Sequence, residues 1–281
     1  MKVIRKPSEL SSLISSLKDE GKSIGFVPTM GALHEGHLSL IRRAKKENDV
    51  TVCSIFVNPK QFNEAKDFQN YPKTPDNDLV LLQKEGADIV FMPSTDDIYF
   101  EGQHVYEIDL GHLDQVMEGK LRPGHFKGVV NIVGILFQMV SPDKAYFGKK
   151  DYQQLMVIKL LANQLFKKIT IVAQDTSRDS SGLALSSRNS LLSAQGRIKA
   201  SSIYKALTEA RQQWNEGADK TKIAEKVNEL LQVHHIQLEY FEIAEEDTLR
   251  SLDQMAEGTR AIAFIAVRHE GIRLIDNMQL N

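Results

Sequence analysis

The feature that most restricts the fold is an alternation of apolar strand patterns with helical patterns. Residues 22–29, KSIGFVPT, and 50–58, VTVCSIFVN, are short apolar runs typical of buried strands. Between them, residues 37–49, HLSLIRRAKKEND, have helical periodicity. A strand–turn–helix–strand unit of this type builds parallel sheets whose faces are covered by helices.

The alternation continues to about residue 175 and then stops. Further helices are predicted at 7–20, 74–86, 125–142 and 152–166, and further strands at 87–93, 144–150 and 167–174. The stretch 175–189 is rich in Ser, Asp and Gly and has no periodicity, which indicates a loop and a domain junction. The remainder predicts helices at 194–217 and 219–232, a strand at 238–246, and a hairpin at 260–280 that turns at HEG.

These patterns predict two domains of different class. Residues 1–175 are expected to form a doubly wound, Rossmann-like α/β domain with a parallel sheet, and residues 176–281 a smaller α+β domain. A chain of 281 residues is long enough for two cores of this kind.

Composition excludes several classes of function. A formal net charge of −2 gives no field that attracts nucleic acid. We expect no signal peptide, and the longest apolar stretch, 129–140, is too short to cross a membrane. The only cysteine, Cys53, lies in a strand pattern and is expected in the core. The absence of an intrachain disulfide fits a cytoplasmic protein.

One turn between a predicted strand and a predicted helix has unusual content. Residues 28–41, PTMGALHEGHLSLI, place Gly31, His34, Gly36 and His37 directly before an apolar helical pattern. Ligands of open parallel sheets bind at the carboxyl ends of the strands. A helix that begins near residue 35 directs N–H groups and its positive dipole end toward that edge. We expect an anion there, with the imidazoles as additional donors to phosphate oxygens.

Other interpretations of this turn stay open. It has neither the GK[ST] ending of a P-loop nor the GxGxxG pattern. Zinc binding by His34 and His37 is one alternative, although no third ligand has a suitable spacing. Helix capping without any ligand is another.

Two later loops also suit a phosphate. Residues 146–155, YFGKKDYQQL, place Gly148 and Lys150 at a strand end, and the Ser-Ser-Arg sequence at 186–188 lies in the junction loop. A lysine provides a point charge and an arginine a fork of N–H donors. Asp151 suits a ribose hydroxyl or a helix cap, and a Ser-Ser-Arg loop by itself is typical of solvated surface. Three such loops on one fold favour a nucleotide site.

The motifs resemble one family of ligases. The chain contains, in order, the blocks PTMGALHEGH, FVNPKQF, RPGHFKGV, FGKKDYQQL and GLALSSRN, which are similar to those of the pantoate–β-alanine ligase (pantothenate synthetase) family. HEGH and LSSRN are also similar to the signature motifs of the class I aminoacyl-tRNA synthetase superfamily. The resemblance implies an ATP-dependent enzyme that condenses pantoate with β-alanine through a pantoyl adenylate, releasing AMP and pyrophosphate. It further implies Mg²⁺ and a homodimer.

The resemblance also implies roles for individual residues. His37, His34, Lys150 and Arg188 match catalytic positions, with His37 as a proton donor. The positions matched to ATP binding are Met30, Gly31, His34, Gly36, His37, Gly148, Lys149, Lys150, Asp151, Leu185, Ser186, Ser187 and Arg188. Those matched to the pantoate pocket are Gln61, Gln154, Asn58 and His125. No protein-bound metal site is implied.

The junction loop departs from the family pattern. The family often has READGLAMSSRN where this chain has RDSSGLALSSRN, so Ser181 replaces an Asp and Leu185 a Met. Small polar residues and Gly182 suggest a loop that bends. Because the same loop carries the Ser-Ser-Arg sequence, we expect the C-terminal domain to close over the site as a lid.

The sequence leaves two other functional classes open. A nucleotidylyltransferase shares the HxGH pattern, but the glutamines of NPKQF and DYQQL favour a carboxylic substrate. A non-catalytic RNA-binding relative of tRNA synthetases is disfavoured by the mildly negative charge.

Overall fold

A computed structural model of the protein describes residues 1–281, which form two compact units. The first unit comprises Met1–Lys149 and Gln153–Asp175, and the second comprises Lys150–Tyr152 and Thr176–Asn281. The short segment Lys150–Tyr152 therefore belongs with the second unit although the first surrounds it in the chain.

A parallel sheet of six strands forms the centre of the first unit. Its order is β1-β4-β3-β2-β5-β6, and every neighbouring pair is parallel. The strands are β1 Lys2–Ile4, β2 Ile24–Thr29, β3 Val50–Ile55, β4 Ile89–Phe91, β5 Lys144–Gly148 and β6 Thr170–Gln174. The central strands β2 and β3 are buried along nearly their whole length because helices cover both faces of such a sheet.

Helices connect these strands. They are α1 Pro7–Asp19, α2 Glu35–Glu47, α3 Ala65–Asn70, α4 Pro75–Lys84, α5 Thr95–Ile98, α6 Met117–Leu121, α7 His125–Val140 and α8 Tyr152–Leu165. Single 3-10 turns lie at Pro59–Gln61, Gly111–Asp114 and Lys149–Asp151. Helix α7 is buried along nearly its whole length, yet no helix of the chain is long and apolar enough to span a membrane.

The second unit packs helices on a small antiparallel sheet of order β7-β8-β9. Its elements are a 3-10 helix at Ser187–Leu191, helices α9 Ala194–Ala200, α10 Ser202–Asn215 and α11 Lys220–Gln232, and strands β7 Gln237–Glu245, β8 Ala261–His269 and β9 Ile272–Gln279. Trp214 and Leu207 on α10 are fully buried in its core, as is Ile265 on β8. The two units thus have separate sheets and separate apolar clusters.

The predicted fold class is confirmed. The short helices α3, α5 and α6 and the 3-10 turns were not predicted, and two further differences have a clear physical reason. Strand β1 is missing from the prediction because only three residues pair with β4, too few to show a period. The helix predicted over 194–217 is interrupted at Ser201, whose hydroxyl donates to the Ile198 carbonyl at 2.7 Å. A serine that satisfies a carbonyl of the preceding turn competes with the regular helix pattern.

Cys53 lies in the core, as expected. Its side chain is fully buried on β3, and burial raises the pKa of the thiol to about 12. A thiol held in this form is a poor nucleophile, so Cys53 acts as an apolar core residue.

Candidate functional site

The strand order of the first unit reverses beside β2, which places a crevice at its carboxyl end. Strands β3 and β4 follow β2 on one side of the sheet, whereas β5 and β6 lie on the other. Open α/β sheets bind ligands at such a reversal, outside the carboxyl ends of the strands. The segments that leave β2, β3 and β5 at this edge are 30–34, 56–61 and Lys149.

The segment after β2 is a tight turn that depends on Gly31. Gly31 has φ +78°, and a Cβ there would lie 2.9 Å from a carboxylate oxygen of Asp78 and 3.0 Å from Ile55 Cγ2. The Gly31 N–H donates to Thr29 Oγ1 at 3.1 Å, and that hydroxyl donates to the Ser54 carbonyl at 2.8 Å. Turn and neighbouring strand are therefore joined through one buried threonine.

Asp78 on α4 fixes the next two residues of the turn. Its side chain is 1% exposed, and its two oxygens accept from Ala32 N at 2.9 Å and Leu33 N at 2.8 Å. The Thr74 hydroxyl donates to the same carboxylate at 3.1 Å. A buried carboxylate with three donors holds the backbone in one conformation, since an unmet charge or N–H is costly in the interior.

His34 and His37 together cap the N-terminus of α2. His34 is the N-cap residue, and its Nδ1 accepts from Gly36 N at 3.2 Å, while His37 Nδ1 accepts from His34 N at 3.4 Å. The rings lie with centroids 4.1 Å apart. A nitrogen that accepts carries no proton, so the hydrogen bonds assign the proton of each neutral ring to Nε2. Both imidazoles thus have their N–H on the atom remote from the backbone.

Gln61, after β3, is held from several sides. Its Oε1 accepts from Asn58 Nδ2 at 3.1 Å, and its Nε2 lies 3.3 Å from Met30 Sδ on the turn after β2. Asn58 is buried and also accepts from the Tyr99 hydroxyl at 2.7 Å and donates to the Gly128 carbonyl at 3.2 Å. Asn58 therefore supports Gln61 and the contact with α7, and its place in the pantoate pocket stays a prediction.

His125 likewise supports Gln61 through the backbone. Its Nδ1 donates to the Gln61 carbonyl at 2.7 Å, and Arg122 Nη1 lies 3.1 Å from its Nε2. Because a guanidinium can only donate, Nε2 is the acceptor and the ring is the Nδ1–H tautomer. Close packing makes this contact possible, since a Cβ on Gly128 would lie 2.3 Å from the Lys60 carbonyl oxygen.

The two adjacent glutamines of α8 have different roles. Gln153 is 4% exposed, donates to Leu113 O at 2.8 Å and Val116 O at 3.0 Å, and accepts from Glu118 N at 3.0 Å. Both ends of the Gln153 amide therefore form hydrogen bonds to backbone groups of residues 113–118. This favours the half-buried Gln154 as the amide that meets a ligand.

The two adjacent lysines after β5 have different environments. Lys149 forms an exposed ion pair with Asp175 at 2.7 Å. The next residue, Lys150, belongs to the second unit, and its side chain is only 17% exposed. A Cβ on Gly148 would meet no atom within 4 Å, which leaves open space over the backbone at the end of β5.

In the second unit the junction segment forms a turn with its own hydrogen bonds, and its expected bending stays a prediction. Asp179 Oδ1 accepts from the Ser181 N–H at 2.8 Å and from the Ser181 hydroxyl at 2.6 Å. Gly182 packs on Tyr204, where a Cβ would lie 2.2 Å from the ring. The glycine thus serves close packing, and the serine that departs from the family pattern stabilises the turn.

The Ser-Ser-Arg sequence follows this turn directly. Leu185 N donates to the Ser177 carbonyl at 2.9 Å, and Ser186 Oγ accepts from Arg188 N at 3.3 Å. Ser186 is the N-cap of the 3-10 helix Ser187–Leu191. Three residues suited to phosphate contact thus stand on an ordered turn.

Comparisons with known proteins agree with this geometry. The family model described as pantoate-beta-alanine ligase matches residues 2–279. The chain belongs to the pantoate–β-alanine ligase family.

Relatives of this ligase family match over nearly their full length. The chain is 44% identical over 282 residues to the pantothenate synthetase of Christiangramia forsetii, with 100% of both chains covered. It is 47% identical over 265 residues to that of Cytophaga hutchinsonii, with 93% of each covered. The prediction of a ligase that makes pantothenate is confirmed.

Solved structures of the family share the fold. A pantothenate synthetase crystal structure from Thermus thermophilus matches with TM-score 0.91 and 38% identity, covering 100% of this chain and 99% of that one. A Francisella tularensis pantoate-beta-alanine ligase, complexed with β,γ-ATP and β-alanine, matches with TM-score 0.84 and 36% identity, covering 100% and 98%.

Asp78 is the residue of this candidate ligase site that the sequence analysis did not find. It lies in the helical stretch TPDNDLVLLQ, where several polar side chains share the first turn and none stands out. Acidic residues at a helix start are common for dipole reasons, so their presence there does not point to a distant partner. Only the packing of α4 against the turn after β2 identifies this carboxylate.

Proposed function

We propose that this ligase activates the carboxylate of pantoate with ATP and then transfers the pantoyl group to β-alanine, at the carboxyl edge of the parallel sheet. The observation that carries the proposal is the pair of imidazoles at the start of α2, where the strand order reverses. The ATP analogue and β-alanine of the Francisella relative support the choice of substrates.

The chemistry explains why donors are needed there. Attack of a carboxylate on the α-phosphate brings two anions together and expels pyrophosphate. The N-terminal N–H groups of α2 and the Nε2–H groups of His34 and His37 offset that developing charge. No protein nucleophile takes part, because the acyl adenylate itself carries the activated carboxyl.

Lys150 and Arg188 are proposed as further phosphate ligands from the second unit. The Lys150 ammonium supplies a point charge, and the Arg188 guanidinium supplies a fork of N–H donors. We propose that ATP enters as its magnesium complex, since triphosphate oxygens are ligands that Mg²⁺ prefers. The chain contains no group of three or more His, Cys, Asp or Glu side chains placed to hold a metal.

We further propose that the second unit closes over the bound adenylate and keeps water out.

Pyrophosphate exchange tests the proposed function directly. Radiolabelled pyrophosphate is incubated with the protein, ATP and pantoate, without β-alanine. Label is expected in ATP only when pantoate is present, and AMP is expected in the complete reaction. ADP as the product would instead show an acyl phosphate intermediate and contradict the proposal.

Gln61→Ala and Gln154→Ala are each expected to raise KM for pantoate about tenfold while changing KM for ATP less than twofold, as expected when a polar contact to one substrate is lost. Uncharged amides bind the hydroxyl and carboxylate of pantoate without weakening the nucleophile. Gln83→Ala, at an exposed position of α4, is the matched control. Steady-state kinetics with each substrate varied in turn gives both constants, and equal effects on both substrates would show that these amides do not meet the acyl end.

We also propose a homodimer that works in the cytoplasm. The family resemblance supports the dimer, and a buried thiol as the only cysteine suits a reducing compartment. Light scattering across micromolar concentrations is expected to give about twice the single-chain mass of 31.7 kDa. A mass equal to the single chain would contradict the dimer, and recovery in the membrane or periplasmic fraction would contradict the location.

A further inference from the structure

Two adjacent residues of β9 contact both segments of the second unit that carry proposed phosphate ligands. Asp276 and Asn277 are 4% and 7% exposed. Asp276 contacts the segment that leads to Arg188, and Asn277 contacts the segment that contains Lys150. Burial of these two polar side chains costs desolvation free energy unless each forms hydrogen bonds. Their hydrogen-bond partners therefore indicate what the two residues do.

Asp276 binds Arg178 through a two-pronged contact. Arg178 Nη1 donates to Asp276 Oδ2 at 2.5 Å, and Nη2 donates to Oδ1 at 2.9 Å. The same guanidinium donates to the Gly182 carbonyl at 3.1 Å and lies 4.7 Å from the Tyr204 ring centroid. Arg178 also pairs with Ala184 in an isolated β-bridge. The segment that precedes the Ser-Ser-Arg turn is thereby hydrogen-bonded to β9.

Asn277 attaches the other segment. Its Nδ2 donates to the Lys150 carbonyl at 2.8 Å, within the second unit. The backbone of Asn277 is itself fixed, since its carbonyl accepts from Arg178 Nη2 at 3.1 Å and its N–H donates to Asp276 Oδ1 at 2.8 Å. One continuous network of hydrogen bonds therefore runs from Lys150 through Asn277 and Arg178 to the turn.

We propose that Asp276 and Asn277 are positioning residues that hold Lys150 and the Ser186–Arg188 turn as one rigid phosphate-binding group. The inference rests on the proposed function, because it takes Lys150 and Arg188 as ligands of ATP. Neither Asp276 nor Asn277 is proposed to touch the nucleotide. Their effect is to fix two cationic groups from distant parts of the chain at a constant separation, so that both meet the phosphates without further ordering.

The central test is Asn277→Ala in the full-length protein. Loss of the bond to the Lys150 carbonyl is expected to lower kcat about 10- to 100-fold, as found when a group near the chemistry shifts by about 1 Å, and to weaken ATP binding. KM for pantoate is expected to change less than twofold, because the amides proposed for pantoate belong to the first unit. Asn215→Ala, which removes a similar amide-to-backbone bond to Leu280 at 2.9 Å, is the matched control and is expected to keep wild-type kcat.

Arg178→Lys provides a second variant that keeps the charge beside Asp276 but loses the fork. It is expected to give the same pattern, with kcat and ATP affinity reduced and KM for pantoate unchanged. Calorimetric titration with ATP and with pantoate, together with melting temperatures, separates positioning from general destabilisation. If either variant loses only thermal stability and keeps wild-type kcat and ATP affinity, the inference is wrong while the proposed function stands. If the wild-type protein forms no pantothenate, the proposed function itself fails.

Discussion

Replacing His37 by alanine is expected to lower kcat for pantothenate formation by about 10²- to 10³-fold, the range for one preorganised donor to a developing oxyanion. KM for ATP is expected to change much less, because the interaction strengthens mainly in the transition state. The reason lies in the geometry of α2, where Nδ1 of His37 accepts from His34 N and the proton resides on Nε2. Rapid-quench measurement of pyrophosphate formation gives the rate of the adenylation step.

Two further substitutions separate catalysis from capping. His37→Asn can place an amide oxygen near the position of Nδ1 and so keep the cap, whereas His37→Gln can place an N–H near the position of Nε2. We expect glutamine to restore part of the rate and asparagine to restore only the melting temperature. The reverse pattern, or a folded alanine variant with wild-type kcat, would show that His37 is structural.

The second large effect is expected for Asp78→Asn, with kcat reduced about 10²-fold through misplacement of the turn that carries the imidazoles. The two carboxylate oxygens of Asp78 accept from Ala32 N and Leu33 N. In asparagine one of these oxygens is replaced by an NH₂ group, which cannot accept from the N–H that it faces. The N–H that faces the new NH₂ group loses its carboxylate acceptor, at a cost of about 1–3 kcal/mol in the free energy of unfolding. Denaturant unfolding and steady-state kinetics measure the two effects.

Asp143→Asn is the matched control for this substitution. Asp143 Oδ2 accepts from Ile24 N at 2.7 Å, at the amino end of the same β2 strand whose carboxyl end leads into the turn. Its replacement is expected to reduce stability while kcat stays near the wild-type value. Comparable losses of kcat in both variants would mean that Asp78 acts through general stability of β2 and has no specific effect on the turn.

The sequence predicted the nucleotide-type fold and the turn at 28–41 from local patterns. An apolar run, a helical period and a histidine before a helix are all readable from residues close together in the chain. The N-cap geometry of His34 agrees with the expected start of α2 near residue 35. The loops at Lys150 and Arg188 are likewise visible from local chemistry, although their part in ATP binding remains a prediction.

Several assignments could not be made from the sequence. Asn58 and His125 are expected in the pantoate pocket from the family resemblance, which stays a prediction, and nothing in the sequence indicated that their polar atoms support Gln61 and α7. The family resemblance selects Gln154 for pantoate, but local chemistry does not separate it from Gln153, which the packing of α8 directs to the 113–118 segment. The sequence also gives no sign that Gly182 packs on Tyr204, 22 positions away, where a Cβ would lie 2.2 Å from the ring.

What the sequence determined by itself is the alternation of strands and helices and the chemical content of the turns, because backbone periodicity and capping depend on neighbours within a few residues. The tertiary structure alone decided that Asp78 holds the turn after β2 and that Asn277 holds the Lys150 segment. Those contacts join residues separated by 46 and 127 positions. A carboxylate or an amide carries no local signal of its distant partner, since the partner is chosen by how whole elements pack.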